Sequence, residues 1–441
     1  MKLKSYLVFF LTLIMSITYS YGQSEYYYYK GKKVELEIDK SKIDVFTDID
    51  FELNSLNNLG LKKSYFNNPK RKSNNKKVTI ELEKGIKKDE FLSKIKLLTN
   101  KKGVRNHSLY YKRKNATPIG TSNIFYVKLK KETDIEILNK ISKKHKVTVI
   151  HQNKFMHLWY KLQVDNKNKK STIELSNIFF ETGLFEDIDP NFMFNYNTKG
   201  NSTKKINTNK NPNKVVNNIT NCTNDTNFNL LWGFKNTSYS NIDINICNAW
   251  TITEGNGVNI AVLDQGIDMT HNDLNDNLSP LSYDTASGNS SSVFTNNYWH
   301  GTHVAGTIAA EKNNNLQVVG VAPKSKIIGV SNQLLVANPI LSEELANGIN
   351  WAVQNGAHII NNSWGDWGGL YYGSLQSSLL ENAIINALTN GRNGLGTVMV
   401  FSSGNVAPNI DYPANFYDGN LVVGSTEINA IRSTTAAYGI N

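Results

Sequence analysis

Two stretches of sequence decide the fold: Val262-Leu263-Asp264-Gln265-Gly266-Ile267-Asp268 and, downstream, Trp299-His300-Gly301-Thr302-His303-Val304-Ala305-Gly306-Thr307. The first completes an apolar run and then changes abruptly to a carboxylate and a glycine, which predicts a buried strand ending at Asp264. The second begins with an imidazole and continues with small and β-branched residues at helical spacing. A strand that ends in Asp264 and a helix that begins with His300 are what an Asp–His pair needs, because the sheet edge fixes the carboxylate and the helix end holds the imidazole beside it.

The rest of the second half alternates predicted strands and helices. Strands are predicted at 258–263, 326–331, 357–361, 397–403 and 421–424, and helices at 300–310, 342–354 and 374–389. The strands are near-continuous apolar runs, as parallel strands covered on both faces should be. This pattern predicts an α/β doubly wound parallel sheet. Its ligands should bind at the carboxyl ends of the strands, where Asp264, Ser363 and Asn405 fall.

The first half of the chain has a different pattern. Residues 116–194 contain predicted strands and helices in the order β-α-β-β-α-β, which is an α+β ferredoxin-like unit, with Ser171 as the cap of its second helix. Residues 23–115 contain strand-like runs, such as 78–82, but no pattern that specifies a fold. Residues 195–227 are rich in Asn, Lys and Thr and predict a linker.

Charge is distributed unevenly between the two halves. Residues 226–441 hold 6 basic and 15 acidic residues, a net charge of −9, and residues 1–225 carry the remaining net +20. Opposite charges in one chain predict that the halves face each other. Nucleic-acid binding by the basic half is disfavoured, because no compact motif combines arginine with stacking aromatic residues.

The N-terminus indicates export, and export in turn favours a disulfide between the two cysteines. Residues 1–22 have a short basic start, an apolar run from Tyr6 to Ile17 and a small-residue cleavage site, as a secretory signal has. No other apolar run is long enough to span a bilayer after the signal is cleaved. The two cysteines, Cys222 and Cys247, favour a disulfide in an exported chain, with two free thiols as the alternative.

The stretches around Asp264 and His300 resemble the D-x-G and H-G-T-H-V-A-G motifs of the subtilisin-like serine peptidases (subtilases). The resemblance implies that residues 228–441 are a subtilisin-like catalytic domain and that the α+β unit is a propeptide that inhibits it within the same chain. It implies that His300 is the general base and that Asp264 fixes its tautomer. We expect His303, one turn further along, to be a packed helix residue.

The same resemblance assigns two substrate-contacting segments. Ser402-Ser403-Gly404-Asn405 is similar to the family's oxyanion segment, with the Asn405 amide as the donor; the alternative is an ordinary turn after a strand. Ser363-Trp364-Gly365 is similar to the S-x-G segment that pairs with the substrate backbone; the alternative is a strand-to-loop turn. No cofactor is expected for catalysis. A structural calcium ion is expected at Asp273, with the oxygen-rich loop 312–317 as the second half of its site.

The nucleophile of the family lies in a G-T-S-x-A-x-P motif, and no such motif occurs in these 441 residues. The last residues, 432–439, resemble the segment that precedes it. We therefore expect the serine-bearing segment to be absent from this chain and the chain as given to be inactive.

Three hypotheses follow for function. The first is a secreted or cell-surface serine endopeptidase, made as a zymogen, that acts on proteins or peptides. The second is a non-catalytic binding or scaffold protein with the same fold. The third is a basic protein that binds anionic surfaces through its first half, which salt-dependent binding to polyanions would support.

Overall fold

A computed structural model describes residues 25–439, with gaps at 49, 55, 57–62, 68–75, 84, 113–117, 166–167, 169, 194–221, 240, 292–298, 333, 335–339, 367, 369–375 and 407. The predicted signal, 1–22, and most of the predicted linker therefore lie outside the described residues. The described strands form two sheets, one antiparallel and one parallel. None of the described helices has the length and apolar character needed to cross a membrane.

Nine described strands form the antiparallel sheet. They are β1 (Glu25–Tyr29), β2 (Lys32–Thr47), β3 (Lys63–Asn67), β4 (Lys76–Glu81), β5 (Val104–Lys112), β6 (Ile119–Lys128), β7 (Val147–Gln152), β8 (Trp159–Val164) and β9 (Asp187–Met193). The helices of this first unit are α1 (Lys88–Thr99), α2 (Ile135–His145) and α3 (Thr172–Glu181). All the strand pairings are antiparallel.

The predicted β-α-β-β-α-β unit is present as β6, α2, β7, β8, α3 and β9, with strand order β7-β8-β6-β9. Ser171 caps α3 as predicted: its Oγ accepts from the Glu174 N–H, and the Glu174 side chain accepts from the Ser171 N–H. The sheet continues through the pairing of Tyr110 with Gly120 into residues 25–112. The region for which the sequence specified no fold therefore shares one sheet with this unit, across the domain boundary placed at residue 115.

The second unit contains six parallel strands in the order β11-β12-β10-β13-β14-β15. The strands are β10 (Asn259–Asp264), β11 (Leu278–Asp284), β12 (Lys326–Ser331), β13 (Ile359–Asn362), β14 (Val398–Ser402) and β15 (Leu421–Val423), and the helices are α4 (Ile246–Ala249), α5 (His300–Ala309), α6 (Leu341–Gln354) and α7 (Ser378–Gly394). The parallel sheet confirms the predicted α/β class. Strand β11 was not predicted, because Pro280 and the polar residues around it break the apolar pattern of this irregular edge strand.

Strand β10 lies where the strand order reverses. It pairs with β12 on one side and with β13 on the other, and both pairings are parallel. Such a switch point opens a crevice at the carboxyl ends of the strands. The last residue of β10 is Asp264, so this carboxylate lies at the edge where an α/β sheet binds its ligand.

The two units share a buried interface. One apolar cluster includes Tyr126 and Trp159 of the antiparallel sheet together with Leu345 of α6 and Leu380 of α7. The antiparallel sheet therefore covers the helix pair α6 and α7 of the second unit.

A disulfide joins Cys222 to Cys247, which lies in α4. Residues 222–227, predicted as the end of the linker, lie against the loop 312–317, where the Asn227 N–H donates to the Gln317 carbonyl over 2.7 Å. The described part of the second unit therefore begins at residue 222, ahead of the boundary placed at 228.

Candidate active site

Asp264 is held rigidly at the end of β10. Its side chain is fully buried, and its Oδ1 accepts a hydrogen bond of 2.7 Å from the Gln265 N–H. Its backbone carbonyl accepts from the Asn332 N–H at the end of β12. Both contacts fix the carboxylate before any partner binds, which is the preorganisation that an orienting group in catalysis requires.

His300 is the first residue of α5 and contacts that carboxylate directly. Its Nδ1 lies 2.8 Å from Asp264 Oδ1 and 2.9 Å from Oδ2. With Nδ1 as the donor to a buried carboxylate, Nε2 is the nitrogen left to accept a proton. The imidazole is 51% exposed, so this histidine is accessible from solvent.

Asp264 also changes the acid strength of the imidazole. The hydrogen bond from the ring to Asp264 raises the pKa of His300, against burial, which lowers it, and the charge of Asp264 raises it further. The pair therefore stabilises an imidazolium, which is the form that a general base takes after it has accepted a proton.

Gly301 makes this close approach of helix and strand sterically feasible. A Cβ at this position would overlap the carbonyl oxygen of Gly266 and would lie 3.1 Å from the Cβ of Asp264. Gly266 itself has φ of 110°, a conformation that glycine adopts without strain. Two glycines therefore set the distance between the carboxylate and the imidazole.

The expectation that His303 is packed is wrong, because its side chain is exposed. The buried face of α5 consists of Gly301, Thr302, Ala305 and Ala309. At 100° per residue, position 303 points away from that face. Of the two histidines of α5, His300 is the one whose ring contacts the Asp264 carboxylate.

Asn405 lies at the same sheet edge, beyond the end of β14, which is two strands from β10. The residue is exposed. The preceding Gly404 has φ of 101°, and its carbonyl accepts from the Ala437 N–H. The turn is therefore fixed by its backbone, while the Asn405 side chain remains open to solvent.

Ser363-Trp364-Gly365 follows the end of β13, between β10 and β14 in the sheet. The Ser363 hydroxyl accepts from the Asn361 amide over 2.9 Å. Trp364 is 8% exposed and packs edge-to-face on Phe401 of β14. The indole is thus a packing residue, so the contact with a substrate that this segment can offer comes from its backbone.

Asp273 lies against the loop predicted to complete a calcium site. Its Oδ1 accepts from the Asn314 side chain and its Oδ2 from the Val318 N–H. Among the described residues no three His, Cys, Asp or Glu side chains converge as metal ligands. Both carboxylate oxygens of Asp273 thus accept from this loop, and calcium binding at Asp273 stays a prediction.

Sequence reasoning missed the acidic residues buried in the interface between the units, such as Glu343, Glu381 and Asp189. The opposite net charges of the two halves were the available signal. The net charges do not identify which residues contact each other across the interface, because the partners lie more than 150 residues apart in the chain.

Comparison with known proteins gives a family match and several relatives. The model described as "Subtilase family" matches residues 255–441. Subtilisin Savinase of Lederbergia lenta is 37% identical over 195 residues, covering 42% of this chain and 61% of its own. Thermitase of Thermoactinomyces vulgaris is 33% identical over 206 residues, covering 47% and 68%. The thermostable alkaline protease of Halalkalibacterium halodurans is 37% identical over 187 residues, covering 42% and 46%.

Among solved structures, fervidolysin from Fervidobacterium pennivorans, described as a keratinolytic enzyme related to subtilisin, matches with a TM-score of 0.49 and 23% identity. The match covers 69% of this chain and 43% of that chain. The chain spans about half the length of several of the curated relatives that it matches.

Proposed function

Because the chain belongs to the subtilase family of serine peptidases, we propose that it is the zymogen form of a secreted serine endopeptidase whose triad includes Asp264 and His300. The observation that carries the proposal is the contact of 2.8 Å between His300 Nδ1 and the buried carboxylate of Asp264. A histidine in this setting is a competent general base, and both residues lie at the switch point of the sheet.

The chemistry proposed for this site follows the triad. His300 Nε2 takes the proton of a serine hydroxyl as that oxygen attacks a peptide carbonyl, and later gives the proton to the leaving amine. Asp264 stabilises the imidazolium between these steps. The Asn405 amide donates to the oxyanion, and the backbone of 363–365 pairs with the substrate. The serine is expected from a segment outside these 441 residues.

The full-length gene product tests this proposal. We expect its coding sequence to contain a G-T-S-x-A motif after codon 441, and we expect the processed protein to hydrolyse an unfolded protein substrate. A gene product that lacks the motif, folds cooperatively and hydrolyses nothing would contradict the peptidase proposal and favour the non-catalytic relative.

The zymogen part of the proposal rests on how the first unit, called the pro-region here (residues 25–193), contacts α6. The Glu343 carboxylate of α6 accepts from Lys161 Nζ over 2.8 Å and from the Tyr126 hydroxyl over 3.2 Å, and lies 3.0 Å from His151 Nε2. Glu343 is 4% exposed. A carboxylate buried in this way requires its cationic partner, so the pro-region stabilises the surface that it covers.

The contact with α7 has two parts. Asp189 of β9 accepts from the Ser377 hydroxyl over 2.6 Å and from the Leu379 N–H over 3.0 Å, so the pro-region satisfies a donor at the first turn of α7. Glu381 accepts from the Tyr29 hydroxyl and pairs with Lys30 Nζ over 2.9 Å. The hairpin of β1 and β2 therefore also reaches the catalytic unit, which supports a role for residues 25–112 in inhibition.

Lys161→Met should weaken inhibition by the pro-region. The substitution leaves Glu343 buried without its lysine, which should cost about 2 kcal/mol, or roughly 30-fold in the inhibition constant. The measurement is peptide hydrolysis by the mature enzyme titrated with purified pro-region at low and high salt. High salt should weaken the wild-type interaction. Lys143→Met, at an exposed position of α2, is the control; equal inhibition by both variants would contradict the docking described.

Asp189→Asn should flatten the pH dependence of stability of the intact chain. Burial raises the pKa of Asp189 to about 8 from 3.8. The folded chain therefore holds a proton that the unfolded chain releases, so this group lowers stability as the pH rises from about 4 to about 8. Asparagine keeps both acceptor contacts and does not titrate.

Urea unfolding at several pH values between about 4 and 8 measures this effect. Glu186→Gln removes the same charge at an exposed neighbouring position and is the control. A slope of stability against pH that is the same in Asp189→Asn and in the wild type would contradict the prediction.

A further inference from the structure

The first described strand, β1, contains a run of four tyrosines that the proposed triad chemistry does not use. Because side chains alternate along a strand, Tyr26 and Tyr28 lie on one face of β1 and Tyr27 and Tyr29 on the other. Tyrosine combines a large apolar ring with a polar hydroxyl at its tip, so it can fill a partly buried contact and still hydrogen-bond at the edge of it. Four tyrosines in succession therefore suit a strand that has a contact on each face.

One face of β1 contacts helix α3 of the ferredoxin-like unit. The hydroxyls of Tyr26 and Tyr28 both donate to Glu181 Oε1, over 2.8 and 3.1 Å. The Tyr28 ring stacks on Phe180 with the ring centroids 4.2 Å apart. The Asn177 side chain of α3 donates to the Tyr26 carbonyl over 2.7 Å. These contacts attach the strand to the end of α3.

The other face of β1 leads to the catalytic unit. Tyr27 packs edge-to-face on Phe192 of β9, with the ring centroids 5.2 Å apart. The Tyr29 hydroxyl donates to Glu381 Oε1 of α7 over 2.6 Å. Lys30, which follows β1, pairs with Glu381 Oε2 over 2.9 Å. Residues 25–30 are therefore held between α3 and α7, two helices that belong to different units.

The Glu381 carboxylate depends on these contacts for its charge. Its side chain is 1% exposed. Burial raises the pKa of Glu381, and the hydrogen bonds from Tyr29 and Lys30 lower it. The Tyr412 hydroxyl, from the loop after β14, donates to the same Oε1 over 3.1 Å. Because a buried carboxylate needs such compensation, the start of the chain helps to stabilise a charged group of the catalytic unit.

The hairpin turn fixes the direction of the two side chains that contact α7. Strand β1 pairs with β2 along its whole length, and the turn residues Lys30 and Gly31 have φ of 47° and 74°. Positive φ at both positions is typical of a tight hairpin turn. Tyr29 and Lys30 are thus preorganised by the sheet of the pro-region, which lowers the conformational entropy that docking on α7 costs.

We infer that residues 25–30 form an N-terminal clasp that holds the ferredoxin-like unit on the catalytic unit and slows release of the pro-region. The inference rests on the proposed function, because the clasp sets how slowly the proposed zymogen becomes active. The clasp contacts α3 and α7 together, so α3 separates from α7 only after the bonds to Glu381 break. Differences in the affinity of one interface appear mainly in the dissociation rate.

The test uses the full-length gene product from the start of its folding. The lag before it hydrolyses a peptide reports how slowly the pro-region is released. Tyr29→Phe removes only the hydroxyl that reaches Glu381 and should shorten the lag about tenfold. Adding Lys30→Met also removes the ion pair, and the double variant should shorten the lag about 30-fold.

Two variants of the same hairpin are matched controls. Tyr28→Phe makes the same chemical change on the other face of β1, where the lost bond lies within the pro-region, so the lag should stay within about twofold of the wild-type value. Lys32→Met removes one positive charge at an exposed position and should leave the lag unchanged. In a Glu381→Gln background, Tyr29→Phe should shorten the lag less than it does in the wild type, because the two residues act through one contact.

A wild type that becomes active without a lag, or a double variant with the wild-type lag, would overturn the clasp and leave the peptidase proposal intact. Equal shortening by Tyr28→Phe and Tyr29→Phe would also overturn it, because the effect would then come from the hairpin and not from Glu381. The same holds for an effect of Tyr29→Phe that is undiminished in the Glu381→Gln background. No hydrolysis by the wild type at any time would overturn the proposed function together with the inference.

Discussion

His300→Ala in the full-length gene product should lower kcat/KM for peptide hydrolysis by on the order of 10⁴-fold or more. The substitution removes the base, so the serine proton has no acceptor. Asp264→Asn should cost a similar factor, because an amide oriented to donate favours the wrong tautomer of His300 and cannot stabilise the imidazolium. Steady-state kinetics on one peptide, with pro-region absent, measure both.

His303→Ala is the matched control for these variants. It removes an exposed imidazole from the same helix, one turn away, and should retain most of the activity. Full activity in His300→Ala, or equal losses in the two histidine variants, would contradict the assignment of the base.

Gly301→Ala should destabilise the protein by about 3 kcal/mol, a large share of the stability of an ordinary domain. The added methyl group overlaps the Gly266 carbonyl oxygen, a backbone atom that cannot rotate away. Helix α5 must then move from the end of β10, which also separates His300 from Asp264. Denaturant unfolding of the intact chain gives the change in free energy.

Gly306→Ala provides the opposite result in the same helix. A Cβ at position 306 would meet no atom within 4 Å, and alanine favours a helix over glycine by about 0.5–1 kcal/mol. We therefore expect this variant to be slightly more stable than the wild type. Similar destabilisation by both substitutions would show that close packing at Gly301 is not the cause.

The parallel sheet was predictable because its strands are buried on both faces and read as apolar runs. The positions of Asp264, Ser363 and Asn405 followed, since each comes directly after such a run. The end of the helix predicted at 374–389 also agrees, because Gly391 leaves the helical conformation even though α7 extends to Gly394. These predictions succeeded because each depends on residues that are close together in the sequence.

The starts of the helices were less predictable. Ser171 caps α3 as predicted, whereas Ser342, the first residue of the helix predicted at 342–354, lies inside α6, which begins at Leu341 with Ile340 as its cap. A serine before acidic residues fits both a cap and a first turn, and packing of the apolar residues decides between them. In residues 25–112 the strand-like run 78–82 overlaps β4 (Lys76–Glu81), but the pattern did not specify the sheet, in which β5 pairs with β6.

The contacts of the interface between the two units could not be derived from local patterns. In the same way, Asp411 is an ordinary loop residue in the sequence, and only the fold places its side chain between Gly365 and Gly404. In the sequence, Glu343 is an acidic residue in the first turn of a helix, and only the fold shows that it pairs with Lys161. Such pairs form only in the tertiary fold. From the sequence, the opposite net charges of the two halves predicted that the halves face each other, but they identified no individual pair.

The most direct test of the central claim is covalent labelling of the processed full-length gene product with a fluorophosphonate, which reacts with a serine activated by a histidine base. We expect one serine, in a G-T-S-x-A motif beyond residue 441, to be labelled rapidly. We expect His300→Ala to reduce the labelling rate by several orders of magnitude and His303→Ala to leave it nearly unchanged. No labelling of the folded wild type, or labelling of His300→Ala at the wild-type rate, would contradict the central claim.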